Sequence, residues 1–120
     1  MIHGNEPAGE FALKRLIGRL GSHDIELKSG KLTIMPCCNP EAAKAGKRYI
    51  DVNLNRIFSD DLIEKNKDSY EAKLAPEIMA AVDECDLAID FHTFTEHMEP
   101  VIMCLDDQNP KTRDLAHHCG

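Results

Sequence analysis

Nowhere do the 120 residues hold the ~20 consecutive apolar positions that a membrane helix requires, so no membrane partner is expected. A basic leader followed by an apolar stretch is also missing ahead of the first motif; nothing points to secretion, and the expected location is cytoplasmic. Positive charge is scarce: 14 Lys and Arg face 21 Asp and Glu, leaving a net charge of -7. Without a basic stripe to neutralise a row of phosphates, nucleic acid is not an expected partner. The five cysteines, Cys37, Cys38, Cys85, Cys104 and Cys119, contain no C-x-x-C pair. An odd number without zinc or thioredoxin spacing reads as reduced, mostly buried small residues, with Cys119 reactive only by its place near the end. Internal repeats and low-complexity segments are absent too. What remains, 42% apolar and 29% charged, is the composition of one soluble globular domain with a single core.

Periodicity places the elements. Pro7 suits the first turn of a helix over residues 7 to 20, with Leu13, Leu16, Ile17 and Leu20 on one face and Gly21 closing it. Residues 21 to 30 are a polar, glycine-punctuated connection with a weak strand at Ile25 to Leu27. Lys31 to Met35 alternates and is stopped by Pro36, the pattern of a strand. Cys37 to Asp68 has no clear period but is too apolar for disorder, and a loop this long in a small domain is a functional one. Tyr70, Leu74, Ile78, Ala81, Val82 and Cys85 keep helical spacing, with Pro76 either kinking that helix or beginning its main part. Leu87 to Phe91 reads as a buried central strand, Pro100 to Leu105 as another, and Asn109-Pro110 as the opening of a last helix through His118. Alternating strands and helices with functional residues at strand ends predict a three-layer α/β/α fold on a mixed sheet.

His3-Gly4-Asn5-Glu6, at the mouth of the first helix, and His92, at the end of the apolar run 87 to 91, can supply two imidazoles and a carboxylate to one metal ion. Hydrolytic zinc takes this set and leaves a fourth position to water. The alternatives are a plain His3 near a terminus and a buried His92 bonded to backbone. Asp90, two residues before His92, shares its face on a strand and can orient a metal ligand, hold an arginine or form a structural salt bridge. Arg48, Asn55 and Arg56 put two guanidiniums and an amide into one loop of an acidic chain. Guanidinium pairs bidentately with carboxylate, so the trio suits an anion. The competing reading is a solvated loop whose arginines pair with Asp51, Asp60 or Asp61. His23, His97, His117 and His118 fit no pattern; His97 belongs to a surface loop more readily than to a pocket, and adjacent His117 and His118 do not share a helix face.

His3-Gly4-Asn5-Glu6, then Arg48-Tyr49-Ile50-Asp51 leading into Asn53-Leu54-Asn55-Arg56-Ile57-Phe58, then Asp90-Phe91-His92-Thr93, in this order and with these gaps, resembles the succinylglutamate desuccinylase and aspartoacylase family, a branch of the zinc carboxypeptidase-like hydrolases. The resemblance implies one Zn2+ per chain, held by His3, Glu6 and His92. It implies that Arg48 stabilises a developing oxyanion and that Asn55 and Arg56 grip a substrate carboxylate. Asn53 stands where some relatives carry aspartate, a difference expected to retune the loop without touching the ligands.

The implied activity is removal of the acyl group from a small, anionic N-acyl amino acid by metal-activated water. A metallocarboxypeptidase acting on peptides, or a zinc-binding fragment without turnover, are the other readings. By the same resemblance residues 1–120 are a partial, truncated zinc-hydrolase catalytic domain. The family's proton-shuttling glutamate and smaller C-terminal domain would follow Gly120, and of the leading apolar strand only Met1 and Ile2 would remain. Glu96 and Glu99 do not match the spacing of that glutamate. Exposed sheet edges would then favour self-association or a covering partner.

Overall fold

The computed structural model describes residues 1–93 and 109–119. In chain order it forms α1 (Ala8–Gly21), α2 (Pro40–Ala45), a single 3-10 turn (Leu54–Arg56), α3 (Asp60–Lys65), α4 (Tyr70–Asp83) and α5 (Pro110–Cys119). No helix among the described residues is long and apolar enough to cross a membrane.

The caps explain where the inner helices begin. Asn39 opens α2 by accepting the Ala42 N–H on its side chain, with Pro40 at the first helical position, and Gly46 closes it in the left-handed conformation at φ 61°. Ser69 accepts the Ala72 N–H to open α4, which then runs without a break through Pro76 at the loss of one intrahelical bond. The core lies between α4 and the 3-10 turn. Ala72, Ala75 and Ile78 present a buried stripe to Leu54 and Ile57, joined by Ile2 from the amino terminus. That stripe is rotated from the expected one: Ile78 is common to both, but Val82 and Cys85 are exposed.

Helices α1, α4 and α5 form close to where they were expected, while α2, the 3-10 turn and α3 fill a stretch in which no period was expected. The three-layer α/β/α arrangement on a mixed sheet is not what the chain forms: among the described residues there is no strand. Residues 25–27, 31–35 and 87–91 carry no ladder, and the expected strand over 100–105 lies outside the described residues. A strand exists only where a neighbour supplies the opposite donors and acceptors, and an alternating pattern does not create that neighbour. Leu87 to Phe91, expected to be buried, is exposed, with Ile89 at 59%. Met1 and Ile2 are buried, but the Met1 backbone is spent on residues 36–39 and not on a strand: the Met1 carbonyl accepts the N–H groups of Cys38 and Asn39, and the amino terminus donates to the Pro36 carbonyl.

Candidate metal centre

The centre begins with a tight turn. The Glu6 N–H closes on the His3 carbonyl at 3.2 Å, which puts both side chains on one side of the chain just before α1. The turn is pressed against α2 so closely that a Cβ on Gly4 would sit 2.1 Å from the Ala42 carbonyl carbon, so position 4 admits only glycine. His3 and Glu6 are buried, at 1% and 6% exposure.

Glu6 is the hub. Its Oε1 lies 2.9 Å from His3 Nδ1 and accepts from Arg48 Nη1 at 2.7 Å. Its Oε2 lies 3.1 Å from His92 Nδ1 and accepts the Thr93 N–H at 2.8 Å. Burial works to raise the carboxyl's pKa, but the Thr93 N–H and the nearby His3 and His92 outweigh it and hold the group below its ordinary value. One ligand atom from each of His3, Glu6 and His92 falls within 4.8 Å of the others, and the two rings stand 5.0 Å apart.

The far nitrogen of each imidazole is already occupied. His3 Nε2 meets Asn53 Oδ1 at 3.0 Å, and His92 Nε2 meets Asp90 Oδ2 at 2.7 Å. Asn53 Oδ1 also accepts the Asn55 N–H, which fixes the oxygen as the atom facing His3. Both Nε2 atoms are therefore donors, and a neutral ring keeps its lone pair on Nδ1. That lone pair points at a Glu6 oxygen on either side. Two lone pairs in such contact call for a cation or a proton between them; each Nδ1 faces its own Glu6 oxygen, at 2.9 and 3.1 Å, near the roughly 3.3 Å that tetrahedral zinc at ~2.0 Å sets between neighbouring ligand atoms, while one ligand atom from each residue together falls within 4.8 Å. The donor set fits zinc, and its outer partners are of the kind that orient metal-bound histidine.

The family described as the succinylglutamate desuccinylase/aspartoacylase catalytic domain matches residues 1–119. The chain belongs to this family. Among its curated relatives, a probable aspartoacylase of Parasynechococcus marenigrum is 30% identical over 95% of this chain and 37% of its own length. The aspartoacylase of Xenopus tropicalis is 29% identical over 97% of this chain and 39% of its own. A Rattus norvegicus N-acyl-aromatic-L-amino acid amidohydrolase (carboxylate-forming) is 30% identical, again over 97% of this chain and 38% of its own. The chain thus spans under two fifths of the length of these relatives. No solved structure gives a significant match.

Within this family member the three expected ligands converge, and Arg48 joins them through Glu6 rather than through Asp51, Asp60 or Asp61. Among the described residues Asp90 holds no arginine; its Oδ2 lies 2.7 Å from His92 Nε2. Asn55 and Arg56 lie on the 3-10 turn, where Arg56 Nη1 donates to the Asn55 carbonyl and its side chain faces solvent. The expectation that Asn53 leaves the ligands alone is corrected by its bond to His3. An asparagine capping a turn two residues before another asparagine is a signal that could have found it. Glu71, fully buried, was also missed; it sits at i and i+4, i+7 from Ala75 and Ile78, so a carboxylate on the apolar stripe was the available sign. Glu96, His97 and Glu99 lie outside the described residues. Cys37, Cys38 and Cys85 are free thiols, but none is buried as expected: Cys37 and Cys38 are half-buried and Cys85 is exposed, and partial burial pushes the Cys38 thiol up.

Proposed function

We propose that this chain carries the zinc centre of a hydrolase that cleaves the amide bond of an N-acyl amino acid. The observation behind the proposal is the convergence of His3 Nδ1, Glu6 and His92 Nδ1 with both Nε2 atoms committed elsewhere. The printed names of the relatives, aspartoacylase and N-acyl-aromatic-L-amino acid amidohydrolase, point to the substrate class. The peptidase reading has no observation on its side.

His3, Glu6 and His92 would hold the zinc, and the chemistry it supplies when bound is Lewis acidity toward an amide carbonyl and toward water. Asn53 and Asp90 keep each imidazole in the tautomer that presents Nδ1. The Arg48 side chain is 44% exposed, so its guanidinium both tethers Glu6 and remains open to an oxygen whose charge grows towards the transition state. Asn55 and Arg56 are assigned the substrate's carboxylate, Arg56 by its planar fork. Glu6 and Asp90 are both committed to imidazoles, so the proton that hydrolysis moves is assigned to neither. That commitment favours a second reading, zinc binding without turnover. Exposed Phe11, Ile17, Ile89 and Phe91 support self-association or a covering partner, and the reading places the working chain in the cytoplasm.

The test is metal content of the purified chain, resolved by size, with hydrolysis of a panel that includes N-acetylaspartate and N-succinylglutamate. The expected result is one zinc per chain, in a peak above the 13.4 kDa monomer, with turnover that His92→Ala abolishes along with the metal. Zinc without turnover selects the second reading. Turnover surviving His92→Ala would remove the site assignment.

A further inference from the structure

Glu71 has no part in the chemistry above, yet it is a carboxylate with 0% exposure on the first turn of α4. Each of its oxygens accepts two hydrogen bonds. Oε1 takes the Ile50 N–H at 2.6 Å and Asn39 Nδ2 at 3.2 Å; Oε2 takes the N–H groups of Asp51 at 3.1 Å and Val52 at 3.2 Å. Three consecutive amides turned onto one anion form a nest, and the anion fixes their backbone.

The two ends of that backbone segment lead to the centre. Two residues before Ile50, Arg48 donates to Glu6 Oε1 and its carbonyl accepts the Gly4 N–H. One residue after Val52, Asn53 Oδ1 accepts from His3 Nε2. The fourth donor, Asn39, caps α2, the helix whose Ala42 backbone walls the Gly4 turn. Every protein group that steadies His3 and Glu6 from the 39–53 side is therefore tied, within two residues or through α2, to one carboxylate. Buried ions cost free energy that an apolar residue would not, so holding a helix to a loop does not by itself call for one.

We propose that Glu71 is a positioning residue of the metal centre: by clamping the amides of residues 50–52 and Asn39 it sets Arg48 and Asn53 against the ligands. The inference rests on the zinc reading. Glu71→Gln keeps the volume but replaces one acceptor oxygen with an amide nitrogen that faces N–H donors. Zinc competition titration should show about 10- to 100-fold weaker binding, with an altered visible spectrum when Co2+ is loaded instead. Ile78→Ala, on the same helix and in the same core, should lower the melting temperature and leave zinc affinity and the Co2+ spectrum as they are.

A folded Glu71→Gln with wild-type affinity and spectrum would overturn the proposal, and so would Ile78→Ala weakening zinc equally. Should Glu71→Gln fail to fold, Glu71→Asp, which keeps the charge and draws the carboxylate back by one methylene, is judged by the same two readouts. Ring nitrogen-15 shifts of His3 in the metal-free chain separate the two hypotheses. A wild type that takes no zinc sinks the zinc reading and this inference with it; where the wild type takes zinc, a His3 ring indifferent to Glu71→Gln sinks the positioning role alone.

Discussion

Gly4 shows how little room surrounds the ligands. The nearest neighbours of an added Cβ are Ala42 C at 2.1 Å, Ala42 O at 2.3 Å and Ala43 N at 2.3 Å, all backbone, and backbone inside a capped helix cannot swing aside as a side-chain tip can. Gly4→Ala is expected to destabilise the chain by about 1–3 kcal/mol or more, seen as a lower urea midpoint, and to loosen zinc with it. An unchanged midpoint would show that α2 yields. At this scale the cluster of His3, Glu6 and His92 was legible only through the spacing of three motifs that together resemble the family, since either histidine alone had a plain alternative. Arg48 was legible as a group seeking an anion, though not that the anion is Glu6. Asn53 was not, because an amide's role depends on which atoms fold against it, and composition is silent on that.

The element that decides the middle of the chain is the first turn of α4. Burial of the Glu71 carboxyl works to raise its pKa, but the N–H groups of Ile50, Asp51 and Val52 and the Asn39 amide prevail and hold it below its ordinary value near 4.5. The sign follows from linkage: the unfolded chain takes up this proton first as pH falls, so the group stabilises the fold fully above about 4.5 and loses that contribution as pH drops through the lower folded value. Acid titration followed by far-UV circular dichroism should show unfolding that begins below about 4.5, and Glu71→Gln should flatten that limb. An acid limb unchanged by the substitution would show that another carboxylate governs it, Glu6 being lowered in the same direction. Helices α1, α4 and α5 were legible from period and caps, whereas six-residue α2 and α3 hold fewer than two turns and leave no period to count. The strands expected at 31–35, from alternation, and at 87–91, from an apolar run, misled because either pattern records faces that want burial, while a sheet also needs a partner.

Across the whole molecule the centre joins distant parts of the chain. Glu6 meets His92 across 86 positions and Thr93 across 87, and beside this junction a Cβ on Gly9 would fall 2.8 Å from the Phe91 side chain. The stretch that delivers His92 is otherwise poorly anchored, with Leu87, Ile89 and Phe91 exposed. Chelating the metal from a zinc-loaded chain should lower the melting temperature and open residues 86–92 to limited proteolysis; a cleavage pattern indifferent to chelator would mean that packing alone holds the segment. Topologically, an ion shared by Glu6 and His92 would be a cross-link. Treated as a disulfide would be, closing a loop of 86 residues withdraws about 4.6 kcal/mol of freedom from the unfolded chain. On the zinc reading, a cofactor taken up for its reactivity would then also be a staple, and a chain deprived of it would be left with its first residues and the 86–92 segment held by hydrogen bonds alone.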